Sequence, residues 1–166
     1  RLVRDWSSDV CSSDLTYSMV ERFLERDSED HPQCIVVLAG VNDINRWDGQ
    51  RGSLYGPGAL IERLRALGVT ANRRGGRTLF ATIWPDDDFS DEKLAAMREV
   101  NEWILMRAPY EVPGATSIDL MLTMTGQPGE SASFLLQPYH DGSHIHLNAE
   151  GHKKVAAVIA GNLPPK

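Results

Sequence analysis

Cysteine is nearly missing from this 166-residue sequence: Cys11 and Cys34 are too few for a disulfide framework or a thiolate metal site. No apolar run approaches the roughly 20 residues that cross a bilayer, and the N-terminus lacks the charged-then-apolar layout of a secretion signal. Lysine and arginine form no run, and 17 basic residues against 23 acidic ones leave a net charge of -6. Phosphate backbones and acidic membrane surfaces are recognised by clustered positive charge, so no nucleic-acid partner and no membrane span are expected. There is no internal repeat and no low-complexity tract. What is present is 42% apolar residues, enough for one domain with a real core, and small-molecule chemistry remains open. These totals leave cellular location and oligomeric state unspecified.

Residues 1–15 read as foreign to the rest. The string DWSSDVCSSDL at 5–15 resembles, codon by codon, the translation of a common short-read sequencing adapter. Such scars are excluded from fold reasoning, and the alternative reading is a Ser/Asp-rich flexible terminus. Without Arg1, Arg4, Asp5, Asp9 and Asp14 the charge is 15 minus 20, or -5, so the acidic character belongs to residues 16–166. Those residues are taken as the domain.

Met19, Val20, Phe23 and Leu24 fall at helical spacing, and the β-branched run at 34–39, closed by Gly40, predicts a strand buried on both faces of a parallel sheet. Leu60, Ile61, Leu64 and Leu67 mark a helix after Pro57 that ends near Gly68. A second strand is expected over 78–84, stopped by Pro85. Ser90 caps a helix carrying Leu94, Met97, Val100 and Ile104, a third strand follows over 116–120, and 126–139 reads as a loop. A final helix starts near Asn148 and buries Val155, Val158 and Ile159. The alternation implies an α/β/α three-layer sandwich with a parallel sheet.

In such sheets ligands bind at the carboxyl ends of the strands, which directs attention to Gly40-Val41-Asn42-Asp43. Gly40 lets the backbone turn out of the strand, and the Asn42 amide can donate to a developing oxyanion. An ordinary Asx turn is the plainer reading. The second cluster precedes the final helix: Asp141, Ser143, His144, His146 and His152. A histidine within reach of a carboxylate has what a general base needs. Three histidines also suit a zinc site of the His-x-His kind, although no further ligand spacing supports one, and His152 reads as packing or capping. Asp86, Asp87 and Asp88 form a solvated acidic approach to the Ser90 helix, and Cys34 an inert core residue.

Together, VLAGVNDI at 37–44 and HLNAEGH at 146–152 resemble the third and fifth sequence blocks of the SGNH, or GDSL-type, esterase and lipase superfamily, over nearly all of 16–166. The resemblance implies the flavodoxin-like fold of those acylhydrolases, here without its first strands, and hydrolysis of a small-molecule carboxylic ester through a serine acyl-enzyme, with no cofactor. It assigns Asn42 and Gly40 to the oxyanion hole and His146 to activating the serine, with an aspartate orienting the histidine. The family usually places that aspartate three residues before the histidine. Asp141 and His144 have that spacing, whereas the glycine five residues on and the distance to the helix favour His146, leaving Ser143 in the aspartate's place and Asp141 two residues further back.

The nucleophile is not identifiable. Ser13-Asp14-Leu15-Thr16 superficially echoes the Gly-Asp-Ser-Leu box, but it lacks the glycine, reverses serine and aspartate, and overlaps the adapter-like string. The chain is therefore expected to be inactive as written, with the 34–39 strand exposing an apolar edge prone to association. The rival readings are a noncatalytic flavodoxin-like binding domain, which would leave Asn42 and the histidines far apart, and a zinc hydrolase built on His144 and His146.

Overall fold

A computed structural model describes residues 14–25, 32–126, 136–143 and 145–163. Three parallel strands, β1 (Cys34–Val37), β2 (Arg77–Ala81) and β3 (Ala115–Ile118), lie in the order β1-β2-β3, with Val37 paired to Phe80 and Phe80 to Ser117. Parallel pairing requires crossover connections, and helices supply them. Helices α2 (Val41–Arg46) and α3 (Pro57–Arg73) lie between β1 and β2, and α4 (Asp91–Glu102) and α5 (Ala108–Glu111) between β2 and β3; α1 (Thr16–Glu25) precedes the sheet, and α6 (Leu120–Thr125) and α7 (Ala149–Asn162) follow it. The mixed α/β class with an open parallel sheet is the one the alternating pattern predicts.

The centre of the sheet holds the core. In β2 every residue but Arg77 is buried, and Phe80 meets Trp103 edge to face at 5.6 Å. Ile44, Leu60, Leu64 and Leu79 close around this pair with almost no exposure. Each such side chain contributes about 1.5–3 kcal/mol by leaving water.

Strand β1 is different. Only Val37 is buried, and Cys34, Ile35 and Val36 are half-buried, which corrects the expectation of a strand covered on both faces. Among the described residues β1 has a strand neighbour on one side alone, β2. Burial raises the Cys34 thiol above its ordinary pKa, as for an unreactive thiol.

Other boundaries shift for tertiary reasons. Helix α3 does not end near Gly68 but runs on to Arg73. A Cβ at Gly68 would lie 2.6 Å from Val112 Cγ1 and 2.9 Å from Phe80 Cζ, so this glycine allows a close helix approach rather than stopping the helix. Strand β2 ends at Ala81, not Trp84. Beyond it the buried Asn101 side chain takes the place of a neighbouring strand: Oδ1 accepts from Ile83 N at 2.9 Å and Nδ2 donates to Ile83 O at 2.8 Å. Strand β3 stops at Ile118, because Asp119 caps α6 by accepting from Leu122 N at 2.9 Å and Leu120 already belongs to that helix. Helix α4 is capped by Ser90 as expected, then widens into a π-helical turn at Trp103–Arg107.

Candidate active site

The carboxyl end of β1 turns sharply at Gly40, whose φ of 125° is strained for any residue with a Cβ. A Cβ there would also press on Leu60 Cδ2 at 2.8 Å. The turn starts α2 immediately and sets Asn42 and Asp43 at the sheet edge. Asn42 Nδ2 donates to the main-chain carbonyl of Asp14 at 3.0 Å. Its neighbour Asp43 is fully buried and accepts from Thr16 N at 3.0 Å, from Thr16 Oγ1 at 2.9 Å and from Arg63 Nη2 at 2.9 Å. Arg63 Nε donates in turn to Thr16 Oγ1 at 2.6 Å. Burial pushes the Asp43 carboxyl above its ordinary value, against the pull of the Thr16 donors and of Arg63.

The histidine cluster is built on a different principle. His140 and Leu147 form a single antiparallel bridge, and Asp141 N donates to His146 O at 3.1 Å, which brings the two ends of this segment together. Asn148 pins the loop to α7. Its Oδ1 caps the helix through Gly151 N at 2.9 Å while its Nδ2 donates to Pro138 O and His140 O. Gly151 is what lets loop and helix touch, since a Cβ there would fall 2.3 Å from Tyr139 O. Asparagine and glycine thus have physical reasons at these two places in HLNAEGH.

Within the loop, Asp141 Oδ1 accepts from Ser143 Oγ at 2.6 Å and from Ser143 N at 2.9 Å. Ser143 Oγ lies 3.0 Å from His146 Nδ1 and accepts from His146 N at 3.1 Å. The Ser143 donors hold the Asp141 carboxyl below its ordinary value, with a smaller contribution from His146. Asp141 therefore reaches His146 through Ser143. His144, and with it the Asp141–His144 pairing and the zinc site, lies outside the described residues. His152, read as packing or capping, is exposed in the first turn of α7, which corrects the packing alternative; its N–H closes the helical turn on Asn148 O.

The histidine loop is tied to the segment that follows the strand next to β1. Trp84, just past β2, makes the tie by donating from Nε1 to Ile145 O at 3.0 Å. Thr82 supports that end by accepting from Met121 N at 2.8 Å and donating to Asp119 at 3.0 Å. A cleft of about 480 Å³ elsewhere, lined by Trp47, Gln50, Arg51 and Glu99, includes none of the expected site residues. Asp43, Arg63 and Trp84 were given no role in the sequence reading. The signal for Asp43 was its place in Gly-x-Asn-Asp; Arg63 and Trp84 carried none.

A family model for GDSL-like lipases and acylhydrolases matches residues 3–154, which takes in both clusters. The chain belongs to this family. The match also includes the whole adapter-like string at 5–15. This GDSL-like chain shares its fold with a GDSL-like lipase from Bacteroides thetaiotaomicron, with 17% identity, a TM-score of 0.70, and 90% of this chain and 70% of that one covered. A structure described as that of an acylhydrolase from Bacteroides fragilis gives 18% identity and a TM-score of 0.68, covering 90% and 69%. TesA gives 18% and 0.63, covering 89% and 71%. No curated protein sequence matches.

Proposed function

We propose that the intact protein hydrolyses a small-molecule carboxylic ester through a serine acyl-enzyme, with Asn42 and Gly40 at the oxyanion hole and His146 as general base. In the acylation step the serine Oγ attacks the ester carbonyl carbon and its proton passes to His146. The oxyanion collapses, the C–O bond breaks, and His146 returns that proton to the departing alkoxide; water repeats the sequence on the acyl group. A donor of the Asn42 kind is worth about 3 kcal/mol at the oxyanion.

What supports this reading is that Asn42 follows the carboxyl end of β1, while the Trp84–Ile145 hydrogen bond ties the histidine loop to the segment that follows the neighbouring strand β2. It also suggests where the serine belongs. Residues 14–16 lie on Asn42 and Asp43, so the position beside the oxyanion asparagine is residue 14, which here is an aspartate facing Arg22. A carboxylate at that position is a poor substitute for an activated hydroxyl, and residues 1–15 are read as replacing native sequence.

The chain as written is expected to release no p-nitrophenol from a short-chain p-nitrophenyl ester. Asp14→Ser is expected to give turnover and an acyl-enzyme at residue 14 by mass spectrometry. Turnover by the unaltered chain, or an acyl group elsewhere in Asp14→Ser, would overturn the assignment.

A further inference from the structure

Ser143 sits three residues before His146, and its hydroxyl has one proton and two lone pairs to distribute. Among the described residues its polar neighbours are Asp141 Oδ1 at 2.6 Å, His146 N at 3.1 Å and His146 Nδ1 at 3.0 Å. The His146 amide can only donate, so it takes one lone pair. An ionised carboxylate can only accept, so the 2.6 Å contact with Asp141 requires the hydroxyl proton. If that proton pointed at Nδ1 instead, two bare oxygens would face each other at 2.6 Å. One lone pair is left for Nδ1, and a lone pair can only be met by an N–H.

We infer that Ser143 is a positioning residue, which relays the Asp141 carboxylate to His146 and fixes the imidazole as its Nδ1–H tautomer with Nε2 bare. Nε2 is then the nitrogen that can take a proton from a nucleophile on the open side of the ring, while the Ser143–Asp141 pair stabilises the imidazolium that forms. The lowered carboxyl of Asp141 agrees with an aspartate that stays ionised while holding both Ser143 donors. A serine thus fills the position where a directly bonded carboxylate would otherwise act, and the carboxylate acts from one residue further along the hydrogen-bond chain.

The catalytic meaning of the relay rests on His146 being the general base, but the tautomer can be read without turnover. Two-bond 1H–15N NMR correlations of His146 at about pH 9, well above the ordinary imidazole value of about 6.5, report which nitrogen carries the proton. The unaltered chain is expected to show Nδ1–H. Ser143→Ala is expected to move the proton to Nε2 in most molecules, and Ser143→Asp to return it to Nδ1 by supplying a carboxylate directly. Ser143→Thr and Ser143→Val separate the hydroxyl from loop packing: threonine keeps Nδ1–H and valine loses it. Nε2–H in the unaltered chain, or a tautomer indifferent to all four substitutions, would overturn the relay. If the tautomers behave as expected while Asp14→Ser remains inactive, the relay holds and the hydrolase reading fails.

Discussion

The two halves of the proposed site are held in opposite ways. On one side, Asp43 is fully buried and crosslinks segments far apart in the chain, with Thr16 27 residues away and Arg63 20. On the other, Asp141, Ser143 and His146 are exposed and bonded to one another within six residues, with Trp84 as a long-range tether. The proposed donor side is fixed by tertiary structure, so it is rigid and costly to disturb; the proposed base side is fixed by its own loop, so it can be retuned with little effect on the fold.

The contrast can be broken most forcefully at Asp43. Asp43→Ala leaves the Arg63 guanidinium and the Thr16 donors without their acceptor and is expected to cost about 3–5 kcal/mol in denaturant unfolding. Asp141→Ala, on the exposed side, is expected to leave that midpoint nearly unchanged. Next in size, Gly151→Ala drives a methyl into Tyr139 O and is expected to cost about 1–3 kcal/mol, with shifts of the His146 resonances. Gly161→Ala, later in the same helix with open space around its Cα, is expected to stabilise by about 0.5–1 kcal/mol. Smaller still, Trp84→Phe removes one hydrogen bond worth about 1 kcal/mol. Amide exchange should quicken across residues 140–147 ahead of the rest of the chain.

Titration sharpens the same comparison because the two aspartates shift in opposite directions. Asp141 is held below the ordinary value of 3.8, so the order it gives its loop is present above that pH and is lost as pH falls through its lower folded value. Asp43 is raised above 3.8, so the folded state keeps its proton where the unfolded chain has lost it. Stability therefore declines as pH climbs through that window, and Asp43→Asn should flatten the decline. A third carboxylate checks the sign on a structural site: Glu111, bonded to Trp103, Arg65 and Arg107, is lowered to about 2. Glu111→Gln should remove a loss of stability that the unaltered chain shows as pH drops from 4.5 towards 2.

Much of this architecture was legible one residue at a time, and the misreadings share a cause. The apolar run of β1 and the Ser90 cap are local signals; the helix starts where expected, while the strand starts at Cys34 as expected and ends at Val37, two residues short of the 34–39 run. Gly68 was read as a helix stop because its packing against Phe80 and Val112 is invisible along the chain. Thr82, Ile83 and Trp84 were read as strand because they are apolar or β-branched, yet the Asn101 side-chain amide takes both main-chain groups of Ile83. Asn42, His146 and Asp141 were singled out by type and spacing. The role of Asp43 needed Thr16 and Arg63 in space, and that of Ser143 needed its three hydrogen bonds.

The claim that one reaction centre unites these halves is tested most directly by fluorophosphonate labelling of the Asp14→Ser chain. The serine at residue 14 should be modified, and Asn42→Ala and His146→Ala should each slow that modification by about a hundredfold or more while circular dichroism stays unchanged. Labelling at the same rate in either variant would separate the asparagine from the histidine and contradict a shared site.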